Sequence, residues 1–158
     1  MSRFTSSASL LPALIVGVLL ASGCGGEKRL TKAQYERQVR AVYGEVRQAF
    51  QATRGVSGAA LVRRIDAAST ELRIAAQQLE ARFEPPAEVE EHNEELAEGM
   101  LAYSQELLDL AAALERGDKT ALQRFNEQIP RHTEIARMAE AAEEMKHMGY
   151  NLGVLAEE

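Results

Sequence analysis

Apolar and polar positions alternate along this chain with a helical period. Tyr35, Val39, Val42, Val46, Ala49 and Thr53 recur at steps of four and three, which predicts a first helix over Thr31–Thr53. Thr31 stands where an N-cap is needed, and Gly55 with Ser57-Gly58 marks the stop. Leu61, Ile65, Ala68, Leu72, Ala75 and Leu79 keep the same spacing in a second helix over Ala59–Phe83. Pro85-Pro86 ends it, because proline lacks an amide donor and the residue before it avoids helical backbone.

A third helix, over Ala87–Arg116, carries the longest stripe: Val89, Asn93, Leu96, Met100, Tyr103, Leu107, Leu110 and Leu114. Asn93 falls on the core side of that stripe, where one polar residue sets helix register. Gly117-Asp118 stops the helix, and Asp118 is placed to cap the next. The fourth helix begins near Lys119 with Leu122, Phe125 and Ile129, meets Pro130, and resumes out of phase at Ile135, Met138, Ala142, Met145 and Leu152. A kink or break is expected at Pro130. The end near Gly149 reads as soft, with residues 153–158 a loose tail. Short connections between amphipathic helices imply antiparallel neighbours, so the fold class is all-α: an up-and-down four-helix bundle over 31–152 with its last helix kinked near Pro130. A three-helix core with the last helix loosely docked is the alternative.

The first 24 residues follow a different pattern. Leu10–Leu20 is an uninterrupted apolar run, too short for a spanning helix, which needs about 20 residues. It suits the apolar region of a secretory signal, and Ala21-Ser22-Gly23-Cys24 follows. Together these residues resemble the lipobox of bacterial lipoproteins, with Ala21 where that family most often has leucine. The resemblance implies cleavage before Cys24 and lipid on the Cys24 thiol and amine. Residues 1–23 would then be a signal peptide and residues 24–30 a lipidated tether. Several acyl chains hold firmly where one alone is marginal. The chain's single cysteine stands at this place, so no internal disulfide or cysteine-based zinc site is available.

Composition narrows the function. The 158 residues carry a net charge of −6, with no Trp, four Phe and four Tyr. Nucleic acid is a poor partner for such a chain. The charge is segregated: Lys28–Arg82 sums to +6 and Phe83–Glu115 to −10, with no basic residue in the second stretch. Glu88, Glu90, Glu91, Glu94, Glu95 and Glu98 crowd the start of the third helix. They read first as a solvated face, favoured by the helix dipole and balanced by the basic hairpin beside it. The second reading is an acidic docking patch.

Metal and catalytic readings are weaker. His92 and Glu95 have an H-x-x-E spacing that resembles that of imelysin-like iron-associated lipoproteins, over those two residues alone. His92 itself flanks the core stripe as a rim residue. Glu144 and His147 have the E-x-x-H spacing of di-iron bundles, but such a site needs a second copy, and Val89 and Ile129 stand three residues before His92 and His132. Met138, Met145 and Met148 share a helix face as core filler, with His147 on the other side, which argues against copper. His132 lies beside the Pro130 break, where a small pocket would form. Ser69 and Ser104 fall inside helices, and no phosphate-binding or nucleophile-elbow motif occurs.

The expectation is therefore a non-enzymatic protein, without cofactor, anchored through Cys24 at the extracytoplasmic face of a bacterial membrane. It would act as a helical interaction module for an envelope protein. The alternative is a metal or small-ligand carrier with its site between helices. The lipobox, the L-T-K-x-x-Y opening (Leu30–Tyr35) and the P-P-x-E pattern (Pro85–Glu88) resemble a loose class of small all-helical bacterial lipoproteins. That resemblance implies location and fold but no activity.

Overall fold

The computed structural model describes residues 29–82 and 84–153. The expected signal peptide over 1–23, Cys24, most of the expected tether over 24–30, Phe83 and residues 154–158 lie outside the described residues. The described chain forms five α-helices and no strand: α1 (Lys32–Gln51), α2 (Gly58–Ala81), α3 (Glu90–Glu115), α4 (Ala121–Gln128) and α5 (Thr133–His147).

Local chemistry sets the ends. Thr31 caps α1 in a capping box: its hydroxyl accepts from the Gln34 amide, and the Gln34 side chain accepts from the Thr31 amide at 2.9 Å. The helix stops at Gln51, two residues before the expected end, where the Thr53 hydroxyl donates to the Phe50 carbonyl at 2.7 Å and tightens the turn. After Pro85-Pro86 the chain makes one 3-10 turn, Ala87–Val89, before α3 begins. Asp118 does not cap α4. Thr120 holds that position, and the Asp118 carboxylate instead accepts from the Thr120 amide and hydroxyl and pairs with Arg124. Those partners hold the Asp118 carboxyl well below the usual carboxylate range.

The expected fourth helix is two helices, not one kinked helix. Pro130 sits in a 3-10 turn, Ile129–Arg131, and His132 takes extended backbone with ψ 121°. Proline cannot donate the bond that would carry α4 onward, so α5 restarts at Thr133 with its apolar stripe in a new phase.

Contacts between side chains set the arrangement. Ser69 faces Ser104 and Asn93 faces Leu79, so α2 and α3 run antiparallel. Going along α3 from its N-terminus, Glu144, Met138 and His132 are met in descending order, so α5 also opposes α3. Helix α4 also packs on α3: the Phe125 ring stacks on Tyr103 at 6.1 Å, and Tyr103 also meets Phe50 of α1 at 5.6 Å.

The core holds Tyr35, Val39, Leu72, Leu79, Val89, Leu96, Met100 and Met145, all almost fully buried. Its polar centre is Asn93. The Tyr35 hydroxyl donates to Asn93 Oδ1 at 3.0 Å, and Asn93 Nδ2 donates to the Leu79 carbonyl at 3.1 Å. The same hydroxyl lies 3.7 Å from the Met145 sulfur. One amide thus ties together α1, α2 and α3 and touches α5 through Tyr35.

The end near Gly149 is not soft. Tyr150 and Leu152 are buried to 4% and 6% exposure and belong to the core. Gly149, at φ 81°, turns the chain out of α5, and the Tyr150 amide closes the helix on the Met145 carbonyl.

Two tests follow from this packing. The Tyr43 hydroxyl is buried with no hydrogen-bond partner among the described residues. Tyr43→Phe should therefore raise stability by about 1 kcal/mol, while Tyr35→Phe, which strands the Asn93 oxygen, should lower it by about 1–3 kcal/mol. Urea unfolding of the two variants measures the opposite signs. At Gly99, an added Cβ would overlap Met138 and lie 2.8 Å from the Glu134 carbonyl oxygen. Gly99→Ala should lose ~1–3 kcal/mol by prying α5 from α3, although alanine is the better helix former. A higher urea midpoint for that variant would contradict the close approach.

Candidate functional site

The acidic start of α3 forms one wall of a groove. Proline at 85 and 86 stops α2, the 3-10 turn reverses the chain, and α3 departs beside the last turns of α2. Glu90, Glu94 and Glu98 recur at four-residue steps along α3, and Glu80 and Glu84 do the same on the α2 side and the turn. The space between is a groove of about 660 Å³ lined by Arg29, Glu80, Glu84, Pro85, Glu90, Asn93, Glu94 and Glu98. Pro85 and Asn93 are its buried lining.

Arg29 is the one cation in that lining among the described residues. It is committed: its guanidinium sits 2.8 Å from Glu90 and donates to the Pro85 carbonyl at 3.2 Å. The hydrogen bond to Glu90 and the Glu90 charge raise the Arg29 pKa above its ordinary value. Glu98 meets Arg137 of α5 at 3.9 Å. Glu80, Glu84 and Glu94 have no ion-pair partner among the described residues. Of the basic stretch Lys28–Arg82, Arg29 alone forms an ion pair with this face among the described residues, so the balance is smaller than the linear charge pattern suggests. Among the described residues, the arginines that pair with α3 are Arg29 and Arg137, neither from within α1 or α2. Like charges gathered in a concavity reinforce one another's field.

The histidines lie elsewhere. His92 is half-buried on the rim of α3, with Nδ1 3.6 Å from Glu95 and Nε2 3.5 Å from Glu144. Glu144 of the E-x-x-H pair thus faces the H-x-x-E pair across α3 and α5, while His147 does not. The imidazole turns opposite nitrogens to the two carboxylates, so the three side chains surround no common point. His132 is the N-cap residue of α5, between Glu106 at 3.3 Å and Glu134 at 3.1 Å. His147 is exposed and near Glu143. Among the described residues no three His, Cys, Asp or Glu side chains are placed to hold a metal ion. Near the Pro130 break a small cleft of about 180 Å³ lies between α3 and α4, lined in part by Glu106, Leu110, Phe125 and Gln128.

Ser69 and Ser104 form a buried pair with the hydroxyls 3.0 Å apart, which joins α2 to α3. Met145 is fully buried and Met138 half-buried as core filler, while Met148 is exposed. Among the described residues no helix is long and apolar enough to cross a membrane.

Sequence pattern placed Leu152 on the apolar stripe but missed Tyr150, which closes this end of the molecule. The Tyr150 hydroxyl donates to Glu88 at 2.7 Å, and the Lys32 ammonium lies 4.4 Å above the Tyr150 ring. Burial and the Glu88 charge push the Tyr150 hydroxyl pKa up, and the same bond lowers that of Glu88. The available signal was the alternation of Tyr150, Asn151 and Leu152 after a glycine.

A scan of protein-family models and searches of curated proteins and of solved structures find no match to this chain.

Proposed function

We propose that this chain is a lipid-anchored, extracytoplasmic, non-catalytic helical module that docks a basic partner in the acidic groove between α2 and α3. The observation that carries this reading is the groove lining: five carboxylates against one cation, and that cation already paired.

Two further features support it. The lipobox-like run ending at Cys24 supplies the anchor. Residues 24–29 span at most about 17 Å when extended. Arg29 and Leu30 are bonded to the α2–α3 turn, through the carbonyls of Pro85 and Glu84. A lipid on Cys24 would therefore hold the groove end of the bundle close to the membrane, where an envelope partner with a basic segment meets it. A stable partner would cover roughly 1,200–2,000 Å² in total, more than the groove alone, so flanking faces of α2 and α3 belong to the same surface. Charge complementarity of this kind mainly sets encounter rate and specificity, and salt weakens it.

Two measurements test the reading. Protein extracted from its own membrane should have a mass that starts at Cys24 and includes acyl groups. A mass that starts anywhere else overturns the anchor. For the groove, a deca-lysine peptide is the probe, titrated at low and at physiological salt. Changing Glu80, Glu84, Glu94 and Glu98 to Gln should weaken its binding about tenfold more than changing Glu45, Glu71, Glu140 and Glu143, a control of equal net charge. Equal losses in both variants would assign the binding to overall charge and remove the groove.

A further inference from the structure

The residues after α5 are held as a bound peptide is held. Both main-chain groups of Asn151 are taken by side chains of α1. Its amide donates to Glu36 at 2.9 Å, and its carbonyl accepts from Arg40 at 2.7 Å. Glu36 and Arg40 are one helical turn apart and 3.8 Å from each other, so they hold each other in place for this grip. Lys32, one turn earlier, donates to the Met148 carbonyl at 3.3 Å.

Side chains supply the anchors on either side. Tyr150 enters a slot between Tyr35, which it meets edge-on at 5.9 Å, the Lys32 ammonium and Glu88. Leu152 is buried two residues on, while Asn151 between them is exposed. Main-chain bonds with pockets for alternate side chains are the general pattern by which proteins recognise extended segments.

We infer that the face of α1 formed by Lys32, Tyr35, Glu36 and Arg40, closed by Glu88, is a binding site for an extended Tyr-x-Leu segment. The chain fills this site with its own residues 150–152. The external occupant is a segment of a partner protein with the same aromatic-polar-aliphatic pattern, since the grip on Asn151 reads backbone rather than its side chain. The strap hangs from α5 by Met148 and Gly149 alone, so its effective concentration at the site is high. It therefore acts as a built-in competitor, and a partner enters when the strap swings out about Gly149. This site lies on α1 and is separate from the acidic groove, so its test is independent of the groove.

The test uses the full chain and a labelled peptide of residues 148–153 with blocked ends, followed by fluorescence anisotropy. Tyr150→Ala with Leu152→Ala removes both anchors of the strap and leaves α1 untouched. That variant should bind the peptide about tenfold or more tightly than the unaltered chain, by loss of the competitor. Adding Glu36→Gln and Arg40→Gln should take the gain away. A folded double variant that binds no better than the unaltered chain overturns the site and makes the strap an end cap only. If the double variant loses its helical signal, the unaltered chain answers instead. Millimolar peptide should then speed hydrogen exchange at the Asn151 amide about fivefold by competing for Glu36, and an unchanged rate overturns the proposal.

Discussion

The buried amide of Asn93 is where the helices of this protein agree on their register. A buried amide without partners costs far more than a hydrogen bond returns, so the surrounding helices must place a donor and an acceptor beside it. Tyr35 brings the donor from α1 and Leu79 the acceptor from α2. Met145 of α5 closes on the same tyrosine. Sliding any of these helices by one residue would strand a polar group in an apolar core. The apolar stripes alone would tolerate several alignments, and this network admits one.

Much of the molecule's chemistry gathers at the end that Asn93 locks. The chain enters there through Arg29 and Leu30, the acidic groove opens there with Asn93 in its lining, and the strap of Tyr150 and Leu152 closes there over α1. The other end is plainer. Helix α4 buries one residue, Ala121, and leans on Tyr103 through the Phe125 ring. Packing is dense where the chain enters the bundle and lighter at the α4 end.

Charge in this protein is organised by helix face rather than by sequence block. Summed along the chain, a basic stretch precedes an acidic helix of opposite charge. In three dimensions the arginines of α1 and α2 do not reach the carboxylates of α3, and the last turns of α2 add Glu80 to the acidic wall. Each side chain's direction follows its position around its own helix, so two neighbouring segments of opposite charge need not face each other.

Local rules made much of the fold legible. The 3.5-residue stripes gave helices, Thr31 was readable as an N-cap, Pro85-Pro86 ended α2, and Asn93 was readable as a core-facing polar residue that sets register. His92 was readable as a rim residue because it flanks that stripe. Each of these depends on residues within about one helical turn of each other. Tertiary structure alone decided that Pro130 divides the last helix, that Tyr35 and Leu79 are the partners of Asn93, and which carboxylates share a groove. It also decided that the residues after Gly149 belong to the core. Lys32 and Met148, or Arg40 and Asn151, meet across 116 and 111 residues of chain, and no local periodicity carries that information. Amphipathic pattern tells each helix which side to bury, while the identity of what it is buried against emerges when the helices assemble.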